Sequence, residues 1–178
     1  MSTIDLEALQ AEVADLAARR DIHKALNQYM RGQDRLLPDV QRQAFHEDAH
    51  VDCGLFAGKA WDFIDFAQGF LAACDASQHL IGQVLIELDG KTAKGEVYFI
   101  AHHRITDNGE KKDLFVAGRY HDEYEDRGQG WKIARRKEIV DWARTDAAAD
   151  SFLKEQTALH IAARGEHGRL GVPRGASG

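Results

Sequence analysis

Two residues stand out for the chemistry they could do together. Asp34 lies in Tyr-Met-Arg-Gly-Gln-Asp-Arg, at the end of an N-terminal helical stretch. His79 lies in Asp-Ala-Ser-Gln-His-Leu-Ile-Gly-Gln, at the start of a strand-like run. A carboxylate beside an imidazole fixes which ring nitrogen carries the proton. The other nitrogen becomes a base that works near neutral pH without metal or coenzyme. Sequence spacing does not bring the two together, so the intervening elements must.

Further residues of chemical interest follow. His102 and His103 are adjacent, so a strand sends them to opposite faces. His103 shares a face with Val97, Phe99 and Ala101, and His102 with Tyr98, Ile100 and Arg104. Both faces are mixed, and the pattern alone does not choose between them. Arg136 sits in the basic run Arg135-Arg136-Lys137, where it is either a solvated charge or a group that stabilises an anion or leaving group. His46-Glu-Asp-Ala-His50 matches the zinc-protease pattern His-Glu-x-x-His, which needs one continuous helix under both imidazoles. Here an apolar strand-like segment, Val51-Asp52-Cys53, follows at once. The match is read as chance, and neither metal nor cofactor is expected.

The elements that must position these residues fall into two groups. Ser2 or Thr3 can cap a helix with Asp5 and Glu7 in its first turn. Leu9, Val13 and Leu16 recur at helical spacing, and Ile22, Leu26, Tyr29 and Met30 continue in a second phase to a stop at Gly32. The change of phase predicts a kink or two helices near Arg20-Asp21. A short helix is expected after Pro38, and an amphipathic one over Trp61, Ile64, Phe66, Phe70 and Leu71. Four long strand-like runs come next: 78–88, 92–106, 112–125 and 131–142. Asp89-Gly90, Asn108-Gly109 and Gly128-Gln129-Gly130 separate them as hairpin turns. Helices followed by a meander predict an α+β fold, a curved antiparallel sheet wrapped around N-terminal helices. A single domain over residues 1–145 is expected. A C-terminal helix over 147–163 and a flexible tail would complete the segment 146–178.

The chain has 178 residues, 44% hydrophobic and 29% charged, as in ordinary globular proteins. A net charge of −6 argues against nucleic acid as a partner. No apolar run reaches membrane-span length, and the N-terminus lacks signal-peptide features. Two cysteines, Cys53 and Cys74, make no disulfide scaffold and are read as thiols of a cytoplasmic protein.

The order of elements and the local motifs resemble the SnoaL-like branch of the nuclear transport factor 2-like superfamily, over roughly residues 10–145. That branch includes scytalone dehydratase, bile acid 7α-dehydratase and the lindane dehydrochlorinase. Tyr29 and Asp34 keep the Tyr-x4-Asp spacing of the bile acid enzyme. Asp34-Arg35 sits where the dehydrochlorinase has its catalytic aspartate. Gln-His-Leu-Ile-Gly around His79 is similar to the segment bearing the catalytic histidine in all three. Gly95-Glu-Val-Tyr-Phe-Ile-Ala-His-His resembles the dehydratase strand whose histidine lies eight residues after a glycine, here His103. Trp131-Lys-Ile-Ala-Arg-Arg resembles the dehydrochlorinase strand with an active-site arginine, here Arg136. Cys53 stands where scytalone dehydratase has a tyrosine.

The resemblance implies a cone-shaped hydrophobic cavity and a cofactor-independent lyase for a small apolar, cyclic or aromatic substrate. Asp34, His79 and Tyr29 would be catalytic, with His103 and Arg136 on the substrate oxygen or leaving group. Loss of water is the leading expectation. Loss of halide, isomerisation, or carbon–carbon cleavage releasing formaldehyde from a lignin-type diaryl compound fits the same dyad. Because the fold also serves proteins without catalysis, a small-molecule binding module is the alternative of another class. A homodimer or homotrimer is implied, with no nucleic acid and no membrane.

Overall fold

The computed structural model describes residues 5–149, together with Phe152, Glu155, Gln156, Ala158, Leu159 and Arg164. Three helices come with six strands: α1 (Leu6–Asp34), α2 (Pro38–Arg42), β1 (Phe45–Asp52), β2 (Ala57–Lys59), α3 (Ala60–Ala73), β3 (Ala76–Asp89), β4 (Thr92–Asp107), β5 (Glu110–Asp126) and β6 (Trp131–Ala147). The fold is the expected α+β arrangement.

α1 is one continuous helix, unbroken at Arg20-Asp21. The two apolar phases are two faces of the same helix. Ile22, Leu26, Tyr29 and Met30 are buried in the core, whereas Leu9, Val13 and Leu16 are exposed on the N-terminal turns, where nothing is buried before Ala18. Ser2 and Thr3 lie outside the described residues. Asp5 caps the helix, its carboxylate accepting from the N–H groups of Glu7 and Ala8.

The helix passes Gly32 and ends at Asp34. Gly32 is needed for a close approach instead, since a Cβ there would lie 2.5 Å from that of Gln41. Leu36 takes the left-handed conformation at the helix end, with φ 53°. The N–H of Leu37 bonds back to Gly32 O and that of Leu36 to Gln33 O. Together these bonds form a Schellman cap, a motif that usually places glycine where Leu36 stands. A leucine there costs roughly 1–2 kcal/mol, and it sits two residues from Asp34. Pro38 then starts α2 at its first position.

The sheet order is β2-β1-β6-β5-β4-β3. β3 to β6 form the expected antiparallel meander. The Asn108-Gly109 turn takes positive φ at both residues (51° and 83°), matching a type I′ hairpin. Two features depart from expectation. β1 begins at Phe45 and pairs parallel with β6, so the sheet is not wholly antiparallel, and β2 adds a short edge strand. β6 also runs past Trp142, and past the expected domain end at residue 145, to Ala147, so the proposed C-terminal helix cannot begin there. Most of 148–163 and all of the tail from Gly165 lie outside the described residues.

One face of the curved sheet closes on the helices. Val51, Val97, Phe99, Ala101, Tyr120, Tyr124 and Ile133 pack against the buried residues of α1 and against Phe63, Ile64 and Ala67 of α3. Each large side chain so buried contributes roughly 1.5–3 kcal/mol. This inward face carries the candidate site. Among the described residues no helix is long and apolar enough to cross a membrane.

Candidate active site

The Schellman cap ends α1 with Asp34 pointing at the start of β3. His79 Nδ1 lies 2.7 Å from Asp34 Oδ1. The His79 backbone N–H also donates to both carboxylate oxygens, at 3.0 and 3.1 Å. The carboxylate can only accept, so the ring proton sits on Nδ1 and Nε2 is left as the acceptor. The side chains are 5% (His79) and 19% (Asp34) exposed, so the pair is sheltered but open on the aspartate side.

β4 resolves the choice between its two histidines. His103 faces inward with Val97, Phe99 and Ala101 and is buried. Its ring packs edge-on to His79, centroids 5.1 Å apart, and to Phe70 of α3 at 5.3 Å. Burial, then the neighbouring charges of His79, His102 and Arg164, lower its pKa to about 4. It is therefore a neutral imidazole at physiological pH, with a buried Nδ1 that has no partner among the described residues. His102 faces outward, where its Nε2–H donates to Asp113 at 2.7 Å. Arg164 caps the C-terminal end of α3. Its Nη1 donates to Leu71 O and Cys74 O, both at 2.8 Å, and its Nη2 to Ser77 Oγ at 3.0 Å.

Tyr29 and Arg136 sit deeper. A register shift between Glu123/Tyr124 of β5 and Ile133/Arg135 of β6 leaves Ala134 unpaired and reverses the inward alternation. Arg136, not Arg135, consequently points in. It lies opposite Asp122 and pairs with it through two bonds, Nε to Oδ1 at 2.7 Å and Nη2 to Oδ2 at 2.6 Å. Tyr124 O–H donates to the same carboxylate at 2.7 Å. The guanidinium lies 4.3 Å from the Tyr29 ring centre and 4.0 Å from that of Tyr120. Arg136 is only 1% exposed. Its Nη1 is left without a hydrogen-bond partner among the described residues. Its neighbour Tyr29 is equally buried, and desolvation raises the phenol pKa further above the ordinary value than the nearby Arg136 lowers it.

Sequence reading passed over Glu138, two residues beyond Arg136 and opposite Tyr120 on the inward face. Burial raises its carboxyl pKa against the opposing pull of Arg136 and His79. The resemblance that set Arg136 toward the substrate was the signal that could have found it, since a strand puts residue 138 on the same face as residue 136.

The His-Glu-x-x-His stretch is strand β1, not helix. His46 Nε2 is engaged with Glu125 O at 3.0 Å, and His50 is exposed. Among the described residues no group of three or more His, Cys, Asp or Glu side chains is arranged to hold a metal. Cys53 and Cys74 are free thiols.

Solved structures share this fold. Hexachlorocyclohexane dehydrochlorinase LinA type 2 is 18% identical, with a TM-score of 0.70, over 87% of this chain and 99% of that one. A candidate scytalone dehydratase from Novosphingobium aromaticivorans is 22% identical, TM-score 0.65, over 87% and 96%. A nuclear transport factor 2-like protein with a cystatin-like fold from the same organism is 20% identical, TM-score 0.63, over 87% and 99%. No curated protein matches the chain. The model of the SnoaL-like domain matches residues 14–137, from within α1 to β6. The chain therefore belongs to the SnoaL-like domain family.

Proposed function

We propose that this protein is a cofactor-independent lyase that removes water from a small apolar, cyclic or aromatic substrate, with His79 as the base. The observation that supports this most is the 2.7 Å contact from His79 Nδ1 to Asp34, which leaves Nε2 as the proton acceptor on a largely apolar inner face. His79 takes the proton from carbon or hydroxyl, Asp34 holds the ring, and neutral His103 donates a hydrogen bond to the substrate oxygen. Tyr29 lines the floor of the site. Arg136 acts through Tyr29 and Tyr120, whose rings it holds in place. Loss of halide, isomerisation and release of formaldehyde from a diaryl compound begin with the same proton abstraction, so the substrate decides among them.

The domain proposed to do this spans residues 1–145 with the end of β6, in a cytoplasmic protein. Leu80 of β3, Ile100 of β4 and Trp142 of β6 lie on the outer face, Ile100 and Trp142 on either side of Ala117 of β5, and all three are exposed, as is Tyr98 beside Ile100. An apolar patch of this kind supports self-association as a homodimer or homotrimer.

The test is His79→Ala, measured for turnover and for binding of the same compound. Loss of turnover with binding retained supports the lyase. Unchanged turnover moves the base elsewhere. A ligand that binds equally to both proteins and is turned over by neither supports the binding-module reading.

A further inference from the structure

Breaking a carbon–oxygen bond near neutral pH needs an acid as well as a base, because hydroxide is a poor leaving group. The inward face offers few candidates. Arg136 is committed to Asp122 and holds its proton. Desolvation raises the Tyr29 and Tyr120 phenols away from neutrality. Burial likewise raises the Cys53 thiol. His103 is unprotonated. One group remains. Glu138 projects from β6 onto the same face as Arg136, opposite Tyr120, and beyond the point where Asp52 of β1 pairs with Lys137. Among the described residues, nothing donates a hydrogen bond to its carboxyl group. It lies within electrostatic reach of Tyr29 of α1, Tyr120 of β5, Cys53, Arg136 and His79.

We infer that Glu138 is the proton donor to the leaving group, the acid counterpart of His79. This rests on the lyase reading of the site. His79 Nε2 takes the proton from the carbon, and the electrons of that C–H bond form the new C=C bond. The C–O bond breaks with its electron pair on oxygen, and the oxygen takes the Glu138 proton and leaves as water. The imidazolium then returns its proton to the Glu138 carboxylate through solvent, and both groups are reset. Burial supports the role by keeping the carboxyl group protonated closer to neutral pH than an ordinary glutamate.

The test uses the whole protein and Glu138→Gln, which keeps the shape. Infrared spectra at pH 7 should show a protonated-carboxyl band in the wild type that the variant lacks. Its absence from the wild type overturns the proposal. Matched cyclic β-hydroxy and β-chloro ketones then serve as kinetic probes, since chloride leaves without a proton. Glu138→Gln should slow water elimination by about 10²-fold or more, leaving chloride elimination within a few-fold. His79→Ala should slow both. Equal loss on both probes, or no loss on either, overturns the donor role. No turnover of any pair by the wild type, even with the band present, defeats the lyase reading itself and the donor role with it.

Discussion

Two acid–base pairs lie on the inward side of this sheet, and they are built for different ends. Asp122–Arg136 is closed. Both side chains are 0% exposed, the bond is bidentate, Tyr124 adds a third hydrogen bond, and two aromatic rings flank the cation. Asp34–His79 is open. Its aspartate is 19% exposed, one ring nitrogen is bonded, and the other has no partner among the described residues. A pair whose carboxylate is held by three hydrogen bonds and whose cation keeps its proton is built to hold structure. A pair with one nitrogen spare can move a proton.

The contrast breaks most sharply at Asp122. Asp122→Ala strands the Arg136 charge in the core and should cost about 3–5 kcal/mol in denaturant unfolding. A loss below 1 kcal/mol means that the closed pair does not hold the core. His79→Ala should do the reverse. Turnover should fall by about 10²–10⁴-fold while circular dichroism stays unchanged, and Asp34→Asn should follow it by freeing the ring. If either change unfolds the protein, the open pair is structural too.

Acid sharpens the comparison through His103, the ring beside the open pair. Its folded pKa of about 4 lies below the ordinary 6.5. The unfolded chain therefore binds more protons between those values, and stability is lost as pH falls from about 6.5 through about 4. Buried as it is, this term amounts to something on the order of 3 kcal/mol. Glu138, raised instead, works in the opposite sense as pH rises. His103→Phe, which keeps a ring against Phe70, should flatten the pH dependence of unfolding below pH 6.5. An unchanged slope removes His103 as its cause.

The smallest effect concerns the joint that aims Asp34. Leu36→Gly should relieve the left-handed strain and stabilise the chain by about 1 kcal/mol. If turnover falls at the same time, the cap positions Asp34. If only stability changes, the strain is incidental.

Much of the architecture was legible in the residues because it follows local rules. Asn108-Gly109 admits positive φ, Pro38 starts a helix, and a strand necessarily sends His102 and His103 apart. Asp34 and His79 were legible as candidates because each lies at the end of an element with its own motif. Tertiary structure decided what depends on position rather than type. One helix carries two apolar stripes because the body begins only at Ala18, so Leu9, Val13 and Leu16 have nothing described to cover them. Arg135 and Arg136 are the same residue type side by side, and only the bulge at Ala134 selects which one meets Asp122. That register shift also turns Glu138 inward. Strand pairing register depends on partners far along the chain, and periodicity read on one strand cannot contain it.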